Sequence, residues 1–137
     1  MMRKPTKVIS RLENDIRVVK ITGRLDPGDG LDPLNDHVQK FMEAGEINYL
    51  LDLRAVTYIS SMGVGSLMKF YRSVLEMEGL VKLLSPSQSV RNILSISRLD
   101  SVFQIYADDK EALASFAEKS EPLIVEKKTA SRKKKPS

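Results

Sequence analysis

Two nearly unbroken apolar runs, Ile47–Leu53 and Leu80–Leu84, flank a stretch in which Val64, Leu67, Met68, Tyr71, Val74 and Leu75 recur at three- and four-residue intervals. Apolar runs without alternation are the mark of strands covered on both faces, and the spacing between them is that of one face of an amphipathic helix. Strand, helix and strand in this order imply a right-handed βαβ unit and therefore a parallel sheet. The helix is expected over Met62–Glu78, with Gly79 as its terminator.

The junction between the first strand and this helix contains Ser60 and Ser61, followed by Gly63 and Gly65. A serine there can cap the helix by accepting a hydrogen bond from an unpaired first-turn N–H. A phosphate on either serine would sit at the positive end of the helix dipole, so a phosphorylation switch fits the same residues. Each glycine inside a helix costs about 1 kcal/mol relative to alanine, and a plain cap requires neither, which suggests close approach by another backbone or by a partner. The junction also lies at the carboxyl end of a parallel strand, where open α/β sheets carry their binding sites. Gly63, Phe70 and Met77 repeat every seven residues along one helix flank, with Met62 displaced further round. That flank is either a docking strip or a packing face. Asp52, near the strand's end, is expected to hold the adjoining loop.

The rest of the chain fits around this unit. Val8–Leu12 and Ile16–Thr22, rich in β-branched residues and separated by Glu13-Asn14-Asp15, predict a hairpin. Gly23 to Pro33 is a loop, and Asp32 before Pro33 predicts the N-cap of a helix over Pro33–Ala44. Ser87 or Ser89 caps a helix carrying Val90, Ile93, Leu94 and Ser97; a strand is expected over Val102–Tyr106 and a last helix over Asp108–Lys119. His37, among polar neighbours, reads as a surface residue.

A chain of 137 residues can form one domain with its own core. There is no cysteine and only one histidine, which removes disulfides and thiolate sites and leaves no basis for a metal site or a catalytic triad. Of the 22 basic and 18 acidic residues, six and two fall in 120–137, leaving 16 of each elsewhere. Residues 1–119 are thus neutral, against a specific nucleic-acid-binding domain, and the tail is expected to be basic and disordered. No apolar run approaches the length of a membrane span, and the chain reads as cytoplasmic. The expected division is a flexible 1–7, a domain over 8–119 and the tail over 120–137.

Tyr58, Ile59, Ser61, Gly63, Val64 and Gly65, with Asp52-Leu53 before them, resemble the signature of the STAS domain, specifically the bacterial anti-sigma factor antagonists. The resemblance extends over roughly residues 8–118. It implies an α/β fold: a mixed sheet of four to five strands with about four helices, mainly in a single layer on one face. It also implies a non-catalytic switch without a cofactor. Unmodified protein would bind an anti-sigma factor of the ATP-binding serine kinase type and release a sigma factor, and phosphate on Ser61, later removed by a serine phosphatase, would eject it. Aligned on the two glycines, Ser61 is the phosphoacceptor and Ser60 the alternate; Ser60, Met62, Gly63, Gly65, Phe70 and Asp26 are the implied partner-binding residues. Ser60 stands where the family pattern has aspartate, and Met62 where it has serine or threonine. These two departures keep open an alternative, an unphosphorylated STAS scaffold or ligand-binding module of a larger signalling or transport assembly. A homodimer is also left open.

Overall fold

Asn14 and Asp15 both take left-handed backbone angles, φ 53° and 64°, and connect β1 (Lys7–Glu13) to β2 (Ile16–Leu25) by a two-residue turn. Positive φ at both central positions matches the twist of the flanking strands, and asparagine and aspartate are the side chains that tolerate it best. In this computed structural model, residues 6–117 are described. After the hairpin come α1 (Pro33–Glu43), β3 (Asn48–Asp52), β4 (Val56–Ile59), α2 (Ser61–Glu76), β5 (Leu80–Leu84), α3 (Gln88–Ile96), β6 (Gln104–Tyr106) and α4 (Asp109–Ser115). The expectation for a tail over 120–137, and most of that for residues 1–7, lies outside the described residues.

The strands form one mixed sheet in the order β1-β2-β3-β5-β6, antiparallel between β1 and β2 and parallel beyond. The sheet has one strand more than expected. Val56–Ile59, which the sequence presents as a connection, pairs in parallel with the last residues of β2. Gly23, at φ 98°, makes the difference: the register shifts between Gly23 and Arg24, so the first part of β2 runs beside β3 and the last part beside β4. A left-handed residue at a bulge re-aims the strand, and only glycine adopts it without strain.

Alternation along the strands divides the core. Val19, Ile21, Tyr49, Leu51, Val81 and Leu83 point to the face covered by α1, α2 and α3, where Leu34, Val38, Leu67, Phe70, Val74, Val90 and Leu94 are buried. Ile16, Val18, Leu50 and Leu84 point the other way and are covered by Ala112 and Phe116 of α4 and its end. Three helices on one face and one on the other agree with the expected layering. Lys82, central on β5, is buried beneath α4 and donates to the Ser115 carbonyl at 3.0 Å and its Oγ at 2.9 Å. The strand expected over Val102–Tyr106 is shorter, because Leu99–Ser101 forms a 3₁₀ turn leading into it.

His37 is not the simple surface residue anticipated. It is half-buried, with Nε2 2.9 Å from Ser10 Oγ and its ring against Phe41, so it joins α1 to the edge strand. Burial, then the nearby Lys40 and Arg17, lower its pKa.

Arg17 of β2 donates from Nε and Nη2 to the two carboxylate oxygens of Glu46, both at 2.8 Å, and its guanidinium lies 3.7 Å from the centre of the Phe41 ring. This fork ties the start of β2 to the α1–β3 connection. The hydrogen bonds from Arg17 lower the Glu46 pKa, with burial opposing. Because the folded-state value is depressed, the stabilisation is complete above the ordinary glutamate range and is lost as pH falls through the folded-state value. Glu46→Gln should therefore cost roughly 1–2 kcal/mol at neutral pH and flatten the acid limb of the stability curve, as measured by urea unfolding from about pH 7 to about pH 3.

Candidate functional site

The first turn of α2 is fixed by three backbone-directed contacts. Ser60, in extended conformation, accepts the Gly63 N–H on Oγ at 3.1 Å and so caps the helix. Its carbonyl accepts the Val64 N–H at 2.9 Å, and its own N–H donates to the Leu25 carbonyl at 3.2 Å. Gly63 rests directly on the end of β2: a Cβ built there would come within 2.0 Å of the Leu25 carbonyl oxygen and 2.9 Å of Ile59 Cγ1. The glycine is thus required by the approach of another backbone. Further along, Ser66 Oγ donates to Asp32 Oδ1 at 2.7 Å, and Asn35 Nδ2 reaches Ser66 Oγ at 2.8 Å, so the capped start of α1 is bonded to the second turn of α2.

Ser61 is the first residue inside α2 and is exposed. It borders a groove of about 390 Å³ whose walls are Tyr58 and Val64 on one side and Ile93, Ile96 and Ser97 of the α3 region on the other. Around it three large apolar side chains stand in solvent: Ile96 at 78% exposure, Met62 at 60% and Tyr58 at 42%. Single exposed apolar residues are unremarkable, but these share the surroundings of one hydroxyl-bearing helix start. The Arg24 guanidinium lies 4.2 Å from the Tyr58 ring centre and pairs with Asp26 at 3.5 Å. Gly65 has nothing within 4 Å of where a Cβ would stand.

The residues expected at a partner surface therefore separate into two groups. Ser60, Ser61, Met62, Gly65 and Asp26 cluster at the end of β2 and the start of α2, Asp26 following directly on the Leu25 that pairs with Ile59. Phe70 does not belong with them: it is fully buried, edge-on to the equally buried Tyr49 with ring centres 5.0 Å apart. Gly63 is buried too, so neither offers a surface to a partner. The seven-residue flank is a packing face because the end of β2 takes Gly63 and Tyr49 of β3 takes Phe70. Ile96 and Tyr58 escaped the sequence reading as surface residues. Ile96 does carry a signal: it is apolar yet lies off the helix face marked by buried Val90 and Leu94.

Asp52 serves its loop, accepting from the Arg54 N–H at 3.2 Å and from Arg54 Nε at 3.1 Å. Among the described residues no three His, Cys, Asp or Glu side chains assemble into a metal-binding group. The local chemistry is that of an accessible hydroxyl at a helix start within an apolar rim.

The two glycines predict opposite responses to alanine. Gly63→Ala must displace β2 backbone and should destabilise by about 1–3 kcal/mol despite its better helix propensity. Gly65→Ala has open space and should stabilise by up to about 1 kcal/mol, both read from urea midpoints.

Residues 8–112 match the STAS domain. A Thermotoga neapolitana protein bearing the name "Putative anti-sigma factor antagonist TM1081 homolog" is 35% identical over 74 residues, 54% of this chain and 66% of that protein. The chain thus spans just under two thirds of the length of the curated relatives it matches. The crystal structure of an anti-sigma factor antagonist from Mycobacterium paratuberculosis superposes with a TM-score of 0.70 at 18% identity, over 85% of this chain and 99% of that one. The antagonist SpoIIAA in its unphosphorylated form gives 0.65 at 19% identity, over 83% and 97%. The phosphorylated form of SpoIIAA, described as a Bacillus cell fate determinant, gives 0.63 at 19%, over 81% and 98%. At these identities the solved structures establish the fold, and with the domain match running from β1 into α4 the chain belongs to the STAS domain family.

Proposed function

We propose that this protein is an anti-sigma factor antagonist, a non-enzymatic switch that binds an anti-sigma factor through the first turn of α2 and is released by phosphate on Ser61. The observation that carries the reading is the exposed Ser61 hydroxyl beside Tyr58, Met62 and Ile96. Its relatives' names supply the class of partner. The partner fitting this reading is an anti-sigma factor with an ATP-binding serine kinase fold, which both binds the rim and phosphorylates it, with a serine phosphatase reversing the reaction.

Ser61 is favoured over Ser60 as acceptor because the Ser60 oxygen already caps α2, whereas the Ser61 side chain is exposed and makes no bond that defines the fold. A phosphate carries a charge of about −1.5 to −2 at neutral pH. In the free protein it remains hydrated at the positive end of α2, where an anion gains roughly 0.3–1 kcal/mol. In a complex that covers the apolar rim it would be desolvated, so modification opposes binding without opposing folding. Met62, in place of a hydroxyl residue, enlarges the apolar part of that rim.

Among the described residues no helix is long and apolar enough to cross a membrane. Affinity capture from the native cell extract with Ser61→Ala and Ser61→Asp as baits should yield a kinase-fold protein bound to the alanine form and weakened about tenfold or more by aspartate. Unfolding midpoints of the two baits should agree within about 0.5 kcal/mol. Phosphopeptide mapping after incubation with that partner and ATP should place the phosphate on Ser61. Identical partner lists for the two baits would sink the switch.

A further inference from the structure

We infer that β1 is a self-complementary edge through which two copies of the chain join, pairing antiparallel about a two-fold axis at Ser10. Among the described residues β2 is the one strand that pairs with β1, so the outer N–H and C=O groups of β1 face away from the sheet. Proteins usually blunt such an edge with a bulge, a proline, an inward-pointing charge or charged side chains along it. Here the charges, Lys7, Arg11 and Glu13, are of both signs, so a two-fold axis can pair them rather than set like against like. Over Lys7–Glu13 there is no proline and the pairing with β2 runs without a register shift. Ile9 and Leu12 on this strand are each 52% exposed.

The occupant follows from register. A two-fold axis perpendicular to the sheet places residues of the same face opposite one another, which restricts the symmetric pairings to those centred on a residue. Centring on Ser10 sets Lys7 against Glu13 of the second copy, Ile9 against the stem of Arg11, and Leu12 against Val8, each pair occurring twice. Val8 is itself packed on the main core, so the covered Leu12 would continue that core across the axis. Glu13 already pairs with Arg11 of its own strand at 3.0 Å, and Lys7 of the second copy would approach it from the other side. Moving the axis to Arg11 opposes two like guanidinium groups on the axis; moving it to Ile9 sets Lys7 against Arg11. Centring on Leu12 pairs Arg11 with Glu13 but engages only the last three residues of the strand, whereas the Ser10 register uses all of Lys7–Glu13, with opposite charges at both ends and Leu12 against Val8.

At the end of β2, Gly23 and Leu25 turn their backbone groups to the β4 segment while the Arg24 carbonyl accepts from Thr6, just before β1, so the β1 edge and β4 flank β2 on opposite sides and pairing at the edge leaves the Ser61 surface of both copies free. The dimer would be a bivalent display of the site, independent of whether Ser61 is phosphorylated.

Sedimentation equilibrium of the full chain should show a concentration-dependent species of twice the 15.4 kDa monomer mass. Lys7→Glu alone and Glu13→Lys alone each place like charges in both end pairs and should weaken dimerisation by about tenfold or more. An equimolar mixture of the two single variants, and the double swap in one chain, should restore it, which a folding defect would not do. A chain that stays monomeric at millimolar concentration, or a dimer indifferent to reversal and unrescued by mixing, would overturn the proposal.

Discussion

The contact between the end of β2 and the first turn of α2 is the constraint on which the rest of the site depends. The Leu25 carbonyl accepts the Ser60 N–H and leaves no room for a side chain at Gly63. With that carbonyl wedged against the helix, α2 can start at only one height above the sheet. Ser60 is then held in the cap, and Ser61, one residue later, faces outward. A switch residue needs this combination of a rigid support and an accessible oxygen.

Two other devices keep the support rigid. The bulge at Gly23 turns β2 from β3 towards β4, bringing Leu25 under α2. The bonds among Asp32, Asn35 and Ser66 fasten α2 to α1 one turn beyond the site. Beneath both, Tyr49 and Phe70 fill the space between sheet and helix, with the Tyr49 hydroxyl donating to the Glu46 carbonyl at 2.8 Å. Burial pushes that phenol up to about 12, so it stays neutral and remains a donor. Strands and helices form the frame, and the exposed Ser61 hydroxyl with its apolar rim stands outside these contacts.

Such a division suits a protein that acts by being bound. A phosphate at the start of α2 would not disturb Leu25, Gly63 or the core, because none of them touches the exposed face. Its effect would fall on whatever covers Tyr58, Met62 and Ile96, where loss of hydration is the dominant cost of a charge. The β1 edge is separate from this surface, so binding and the proposed self-association need not compete.

The amino-acid order alone determined the βαβ unit, the hairpin, the cap at Asp32 and the family resemblance, and narrowed the cap of α2 to Ser60 or Ser61, because apolar period, turn residues and capping side chains act over a few neighbouring positions. Tertiary structure decided matters that depend on distant partners. Val56–Ile59 became a strand because the bulged end of β2 lay beside it. Phe70 left the docking flank because Tyr49 received it, and Gly63 proved to serve Leu25 across the sheet. Ile96, from another helix, reached the rim of the Ser61 groove. Helical spacing identifies which residues share a face, but which face meets solvent is settled only when the other elements have taken their places.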